Sequence, residues 1–168
     1  MKITAWRVIK KKHRQTAFKG DGARIYGGRW NPVGTSVVYT AESLSLATLE
    51  IVVHLEREEL LYTHFLKIPV TFDVQMVTTL SRKTLPRDWS RLPPSESTQK
   101  IGYKWISQSK FAVLKVPSTF IMEEYNYLIN PNHPDFTNMQ IGKAPTIQVQ
   151  SSIIRPTIED RSKSNPES

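Results

Sequence analysis

The sequence predicts an α+β fold in which strands dominate. Short β-branched and aromatic runs bounded by Gly, Pro and Asn recur along the chain, each too short for a helix. Only two stretches, residues 46–59 and 97–109, carry apolar side chains at three-and-four spacing. No internal repeat is visible, and 168 residues suffice for one domain with a sizeable core. The domain is placed at residues 1–156, with a polar, disordered tail over 157–168.

Residues 3–9 alternate as a strand, putting Arg7 on a face with Ile3, Ala5 and Ile9. Either Arg7 has an anionic partner, or the strand is an edge and the guanidinium faces water. Residues 10–19 form a basic connection, and Gly20-Asp21-Gly22 a turn leading into residues 23–26. Gly27 and Gly28 free the backbone for close approach just before Arg29 and Trp30, a guanidinium beside a large aromatic, a pairing suited to an anionic ligand with a planar ring. Asn31-Pro32-Val33-Gly34 reads as a turn and residues 36–39 as a short buried strand ending at Tyr39. Thr40 and Glu42 are the expected cap and first-turn acid of a helix that ends near Glu59. On it Leu46, Ala47, Glu50, Val53 and His54 share a face, so Glu50 interrupts a mostly apolar stripe. Such a carboxylate is paired, put to use in a cleft, or held in a solvated rim ion pair.

Residues 62–70 and 72–79 read as two strands around Pro69, a hairpin or successive sheet strands, and residues 81–95 as a Pro- and Ser-rich loop anchored by Trp89. The helix at 97–109 has Ile101, Trp105 and Ile106 as its apolar side. Residues 111–116 form a strand that stops at Pro117-Ser118, and residues 126–134 a dense run of turn formers around a short apolar core. Residues 140–150 and 153–154 are expected as late strands.

Charge is unevenly placed. Residues 1–29 hold nine Lys or Arg against Asp21 alone, which accounts for the net charge of +8. Such a block can meet a nucleic acid, an acidic protein or a phosphate-bearing small molecule. No zinc-finger spacing, RNP-like signature or helix-turn-helix accompanies it, so direct nucleic-acid binding is not expected. The chain has no cysteine, which excludes disulfides and thiolate chemistry. Neither a signal-peptide core nor a run of about 18 apolar residues is present, and the protein is read as soluble and cytoplasmic, with no membrane contact. A GxGxxG fingerprint, a phosphate loop, HExxH and GxSxG are all missing, so no metal site is expected and dehydrogenase, nucleotide triphosphatase and serine hydrolase chemistry is disfavoured.

Six pieces occur in one order: Trp6-Arg7; Gly27-Gly28-Arg29-Trp30-Asn31 with Gly34; Val38-Tyr39-Thr40-Ala41; Leu49-Glu50 with His54; Val116-Pro117-Ser118; and Asn126-Tyr127-Leu128-Ile129-Asn130-Pro131 with His133-Pro134. Together, over residues 5–155, they resemble the RES-domain family, named for its Arg, Glu and Ser. The resemblance implies a single-domain ADP-ribosyltransferase-like fold, a mixed β core with flanking helices. It further implies a bacterial type II toxin that depletes NAD, restrained by an Xre-like antitoxin whose C-terminal part blocks the active-site entrance. DNA would be met only through the antitoxin, and the complex leaves room for a toxin homodimer. NAD would be substrate, with no cofactor. By motif position Arg29, Tyr39, Glu50 and Ser118 match the family's active-site set, and Arg7 and Asn126 positions near the cleft; Tyr26 and Trp30 complete the expected substrate contacts.

The residue chemistry is compatible with this. Arg29, with Arg7, can clamp phosphate oxygens. Tyr39 can stack on nicotinamide, Glu50 can stabilise positive charge developing on the ribose, and Ser118 can hydrogen-bond ribose or nicotinamide. Transfer of ADP-ribose to a protein side chain would use the same residues, and a non-catalytic binding module is the third reading.

Overall fold

In the computed structural model, which describes residues 1–55 and 60–148, the elements run β1 (Lys2–Lys10), α1 (Asp21–Tyr26), β2 (Val38–Ala41), α2 (Leu44–Val52), α3 (Leu60–His64), β3 (Phe65–Asp73), β4 (Val77–Thr79), α4 (Glu96–Gln108), β5 (Val113–Pro117), β6 (Tyr125–Ile129) and β7 (Gln140–Ile141). The seven strands form one sheet in the order β4-β5-β6-β2-β1-β3-β7. All neighbours are antiparallel except β4 and β5.

The sheet is two well-laddered halves joined by a weak seam. β1 and β3 pair continuously from Lys2↔Asp73 to Lys10↔Phe65, and β6 pairs along both β2 and β5. By contrast β1 and β2 meet only at Trp6↔Ala41. Beyond that pair the strands splay, and the Tyr39 carbonyl accepts a hydrogen bond from Arg7 Nη1 at 2.7 Å. β1 is therefore not an edge strand, and its arginine satisfies a main-chain acceptor rather than an anion or water.

Side-chain alternation divides the core. Ala5, Ile9, Val38, Ile68, Val70, Tyr127 and Ile129 pack on one face. On the other, α2 covers Val8 and Ala41 with Leu46 and Ala47, while α4 covers Leu114, Val116 and Leu128 with Trp105. The region between the two helices is left for the site.

Several expected elements take a different form. The turn expected at Gly20-Asp21-Gly22 is instead the start of a helix over Asp21–Tyr26. The cap of α2 is Ser43, whose Oγ accepts from Leu46 N at 3.0 Å; Thr40 stays in β2 and gives its hydroxyl to the Tyr127 carbonyl at 2.7 Å. α2 ends at Val52, and Glu59 lies outside the described residues. Residues 62–64 belong to α3, not to a strand. β3 passes straight through Pro69 instead of turning there. The Pro69 carbonyl accepts from Gly142 N at 2.8 Å, so the proline's missing N–H faces the short β7 side and costs the β1 ladder nothing. β4 then pairs in parallel at the opposite edge of the sheet. Residues 125–129, read as part of a turn-rich run, form a central strand, and the turn formers at 130–134 follow it. Among the late strands only residues 140–141 and a bridge at Thr146 fall in the described chain; residues 149–150, 153–154 and the tail lie outside it. Trp89 does anchor its loop, packing with Trp30 and Leu85 against the α4 side of the core. Among the described residues no helix is long and apolar enough to cross a membrane.

Candidate active site

Two hollows of about 420 and about 430 Å³ meet beside the seam of the sheet, a size suited to a small-molecule ligand. Tyr39 and Glu50 line both. Arg7, Gly27, Gly28 and Thr40 line the first; Arg29, Trp30, His54, Ser90, Phe120 and Asn126 line the second. Arg29 and Glu50 therefore face one cavity.

Each polar side chain is fixed by an identifiable partner. Glu50, on the last full turn of α2, accepts from Asn126 Nδ2 at 2.8 Å. Burial raises its pKa above the usual carboxylate range; the Asn126 bond opposes the shift and nearby Glu124 reinforces it. Among the described residues no cation pairs with it, so it is neither a buried ion pair nor a rim salt bridge. Asn126 Oδ1 is buried and without a partner among the described residues, as is Arg7 Nε. Burial also pulls the Arg7 pKa down to about 10, which leaves a charged guanidinium at neutral pH with no counter-ion among the described residues.

Tyr39 is held at its hydroxyl. It donates to Asn31 Oδ1 at 2.8 Å and accepts from Trp30 N at 3.0 Å. Burial raises its pKa, partly offset by the Trp30 N–H bond and Arg29. A Cβ on Gly28 would stand 2.6 Å from that hydroxyl, which is why the backbone there must be bare. Arg29 Nη1 donates to the carbonyls of Trp89 at 2.7 Å and Arg91 at 2.9 Å, tying the loop before α4 to the cavity wall. Burial lowers the Arg29 pKa, and Tyr39 works the other way.

Arg7, Arg29, Trp30, Tyr39, Glu50 and Asn126 are thus brought together, although Trp30 is mostly core, 3% exposed. Ser118 and Tyr26 stand apart from them. Ser118 is 1% exposed and its Oγ accepts from Phe120 N at 3.1 Å and Ile121 N at 3.3 Å, shaping the β5–β6 loop that carries Phe120 into the cavity wall. Tyr26 is 82% exposed and lines neither hollow.

Sequence reasoning missed Asn31, which is fully buried and donates through Nδ2 to the carbonyls of Ala23, Pro32 and Thr35 while holding Tyr39. An Asn-Pro pair reads as a turn, and nothing in the sequence marks the same side chain as a hub. Ser90 and Phe120 were missed too, because both reach the cavity from loops far along the chain.

The family model described as RES domain matches residues 4–150. The chain belongs to the RES-domain family. A protein named Toxin Res from Photorhabdus laumondii subsp. laumondii is 39% identical over 131 residues, 78% of this chain and 83% of that protein. A protein named Prs ADP-ribosylating toxin from a Sphingobium species is 37% identical over 147 residues, 85% and 91% of the two chains. Among solved structures, the Mycobacterium tuberculosis MbcT–MbcA toxin–antitoxin complex aligns with TM-score 0.69 at 19% identity, covering 88% of this chain and 85% of that one. At that identity the likeness is one of fold, a mixed α+β domain around one seven-stranded sheet.

Proposed function

We propose that this RES domain is the toxin of a toxin–antitoxin pair and that it consumes NAD by breaking the bond between nicotinamide and the ribose. One observation carries the reading: Glu50, a carboxylate without a cationic partner among the described residues, stands where two hollows meet, and each hollow holds an arginine. NAD matches that arrangement, with a pyrophosphate for a guanidinium and a ribose for the carboxylate.

As the C1′–N bond lengthens, its electron pair moves to the nicotinamide nitrogen and neutralises the ring, while positive charge grows on the ribose. Glu50, held by Asn126 in a largely buried site, opposes that charge. An oxygen of water or inorganic phosphate then forms the new bond to C1′. The Tyr39 ring, its hydroxyl already bonded, offers a flat apolar wall for nicotinamide. Arg29 keeps Nε and Nη2, which bond to none of the described residues, for a phosphate oxygen. Ser118 acts through the loop it shapes. The partner is an Xre-like antitoxin covering the cleft; the family membership and the structural neighbour, a toxin–antitoxin complex, support a protein antitoxin.

A second reading, transfer of ADP-ribose to a protein, is favoured by the name of the Sphingobium relative. Incubation of the purified protein with NAD labelled in its ADP-ribose half, with and without phosphate and cell extract, separates the two. Nicotinamide release without labelled protein supports breakdown and a labelled band supports transfer. If no nicotinamide is released, neither reading stands.

A further inference from the structure

We propose that His54 accepts the proton of a neutral attacking nucleophile, water or a protein hydroxyl or amine, and so provides for acceptors other than an anion; this rests on the NAD reading above. His54 follows Glu50 by four residues and lines the same hollow as Glu50 and Arg29. Its backbone N–H bonds to the Ile51 carbonyl at 3.0 Å, which carries the last turn of α2 on to the cavity wall. The imidazole meets Phe120 edge to face, with centroids 6.2 Å apart at 87°, and this contact sets its plane.

The remaining groups cannot do this work. Arg7 and Arg29 are cations with no lone pair to offer. The Tyr39 hydroxyl proton is already given to Asn31. Glu50 is bonded by Asn126 and must stay ionised opposite the ribose. The other residues of the two hollows are apolar, glycine, hydroxyl or amide side chains, apart from Trp6 and Trp30, whose indoles are not bases. Among the described residues His54 is left as the one lining side chain whose ring nitrogen has a lone pair free to take that proton.

In the step, a lone pair on the acceptor oxygen or nitrogen forms the bond to C1′ and the C1′–N pair leaves with nicotinamide. The acceptor's proton passes to the unprotonated imidazole and on to solvent, to which the exposed ring is open. An ionised phosphate oxygen attacks without losing a proton and has no need of His54. Among the described residues the charged groups that line the same hollow are Glu50 and Arg29.

The test follows nicotinamide release from NAD by the full chain, in water alone and with added inorganic phosphate. His54→Gln is expected to slow hydrolysis about a hundredfold while phosphorolysis and the KM for NAD stay within about twofold. Free imidazole should restore hydrolysis to His54→Ala. Parallel loss of both reactions, or no loss of either, overturns the assignment. Should phosphate not serve as acceptor, failure of imidazole to rescue hydrolysis overturns it. Absence of any nicotinamide release from the wild type sinks the NAD reading and this assignment together, whereas release insensitive to His54 sinks the assignment alone.

Discussion

Glu50 stands in the cleft at a cost to the folded protein. Burial lifts its folded-state pKa above the unfolded value, so ionisation is harder in the fold than in the unfolded chain. The stability deficit is fully present above the raised pKa and is relieved as pH falls through it towards the unfolded range. Glu50→Gln keeps the acceptor for Asn126 and removes the charge. It is expected to raise the melting temperature by about 2–4 °C at neutral to mildly alkaline pH, a gain that shrinks on acidification. The same variant should lose at least about a hundredfold in NAD turnover and no longer arrest growth; full growth arrest would remove Glu50 from its assigned role. For the wild type, the sign of the shift means that turnover is lost as pH falls through a value above the ordinary carboxylate range. Arg29→Lys tests the neighbouring cation. An ammonium cannot both hold the Trp89 and Arg91 carbonyls and present a planar fork, so KM for NAD should rise about tenfold, the equivalent of ~1.4 kcal/mol. Near-normal kinetics would argue against a phosphate contact there. At this scale residue chemistry made Arg29, Tyr39 and Glu50 legible. Asn31 was hidden because its role depends on three carbonyls and a phenol that only the fold gathers.

The decisive contact between elements is that of α4 on the glycine loop. A Cβ on Gly102 would lie 1.7 Å from the Trp30 carbonyl oxygen, and Gln99 Nε2 donates to the Gly28 carbonyl at 3.0 Å from the same helix. The helix is seated on the segment that carries Arg29. Gly102→Ala forces the two apart and is expected to cost about 3 kcal/mol in denaturant unfolding. Gly22→Ala, with nothing within 4 Å of the added methyl in α1, should be neutral or stabilising by ~0.5–1 kcal/mol. Equal effects from the two would refute the packing argument. Elements with a strong period, β1 and α4, were readable in the sequence to within a residue or two. β6 was not: its five residues include Asn126 and run straight into Asn130-Pro131, and its identity comes from ladders with β2 and β5 on both sides. Pro69 misled for the opposite reason, since a strand tolerates proline where the missing N–H faces a side with little to pair.

Over the whole molecule, the net positive charge is gathered in the first 29 residues, the same segment that brings Arg7 and Arg29 to the two hollows. Lys10, Lys11, Lys12, Arg14 and Lys19 are exposed, and none has an ion-pair partner among the described residues. Capture of an anionic dinucleotide should therefore be assisted at a distance, with kcat/KM falling by about tenfold as salt is raised and kcat unchanged; a salt-insensitive kcat/KM would dismiss steering. The chain by itself determined the α+β class, the RES motifs and the residue types of the site, because strand alternation, turn chemistry and short motifs are local properties. The tertiary structure decided which of those residues share a cavity. It drew Asn126 to Glu50, gave Arg7 to the seam, closed the Tyr39 hydroxyl on Asn31 and left Tyr26 on the surface, because long-range strand pairing and burial set distances that local sequence does not encode.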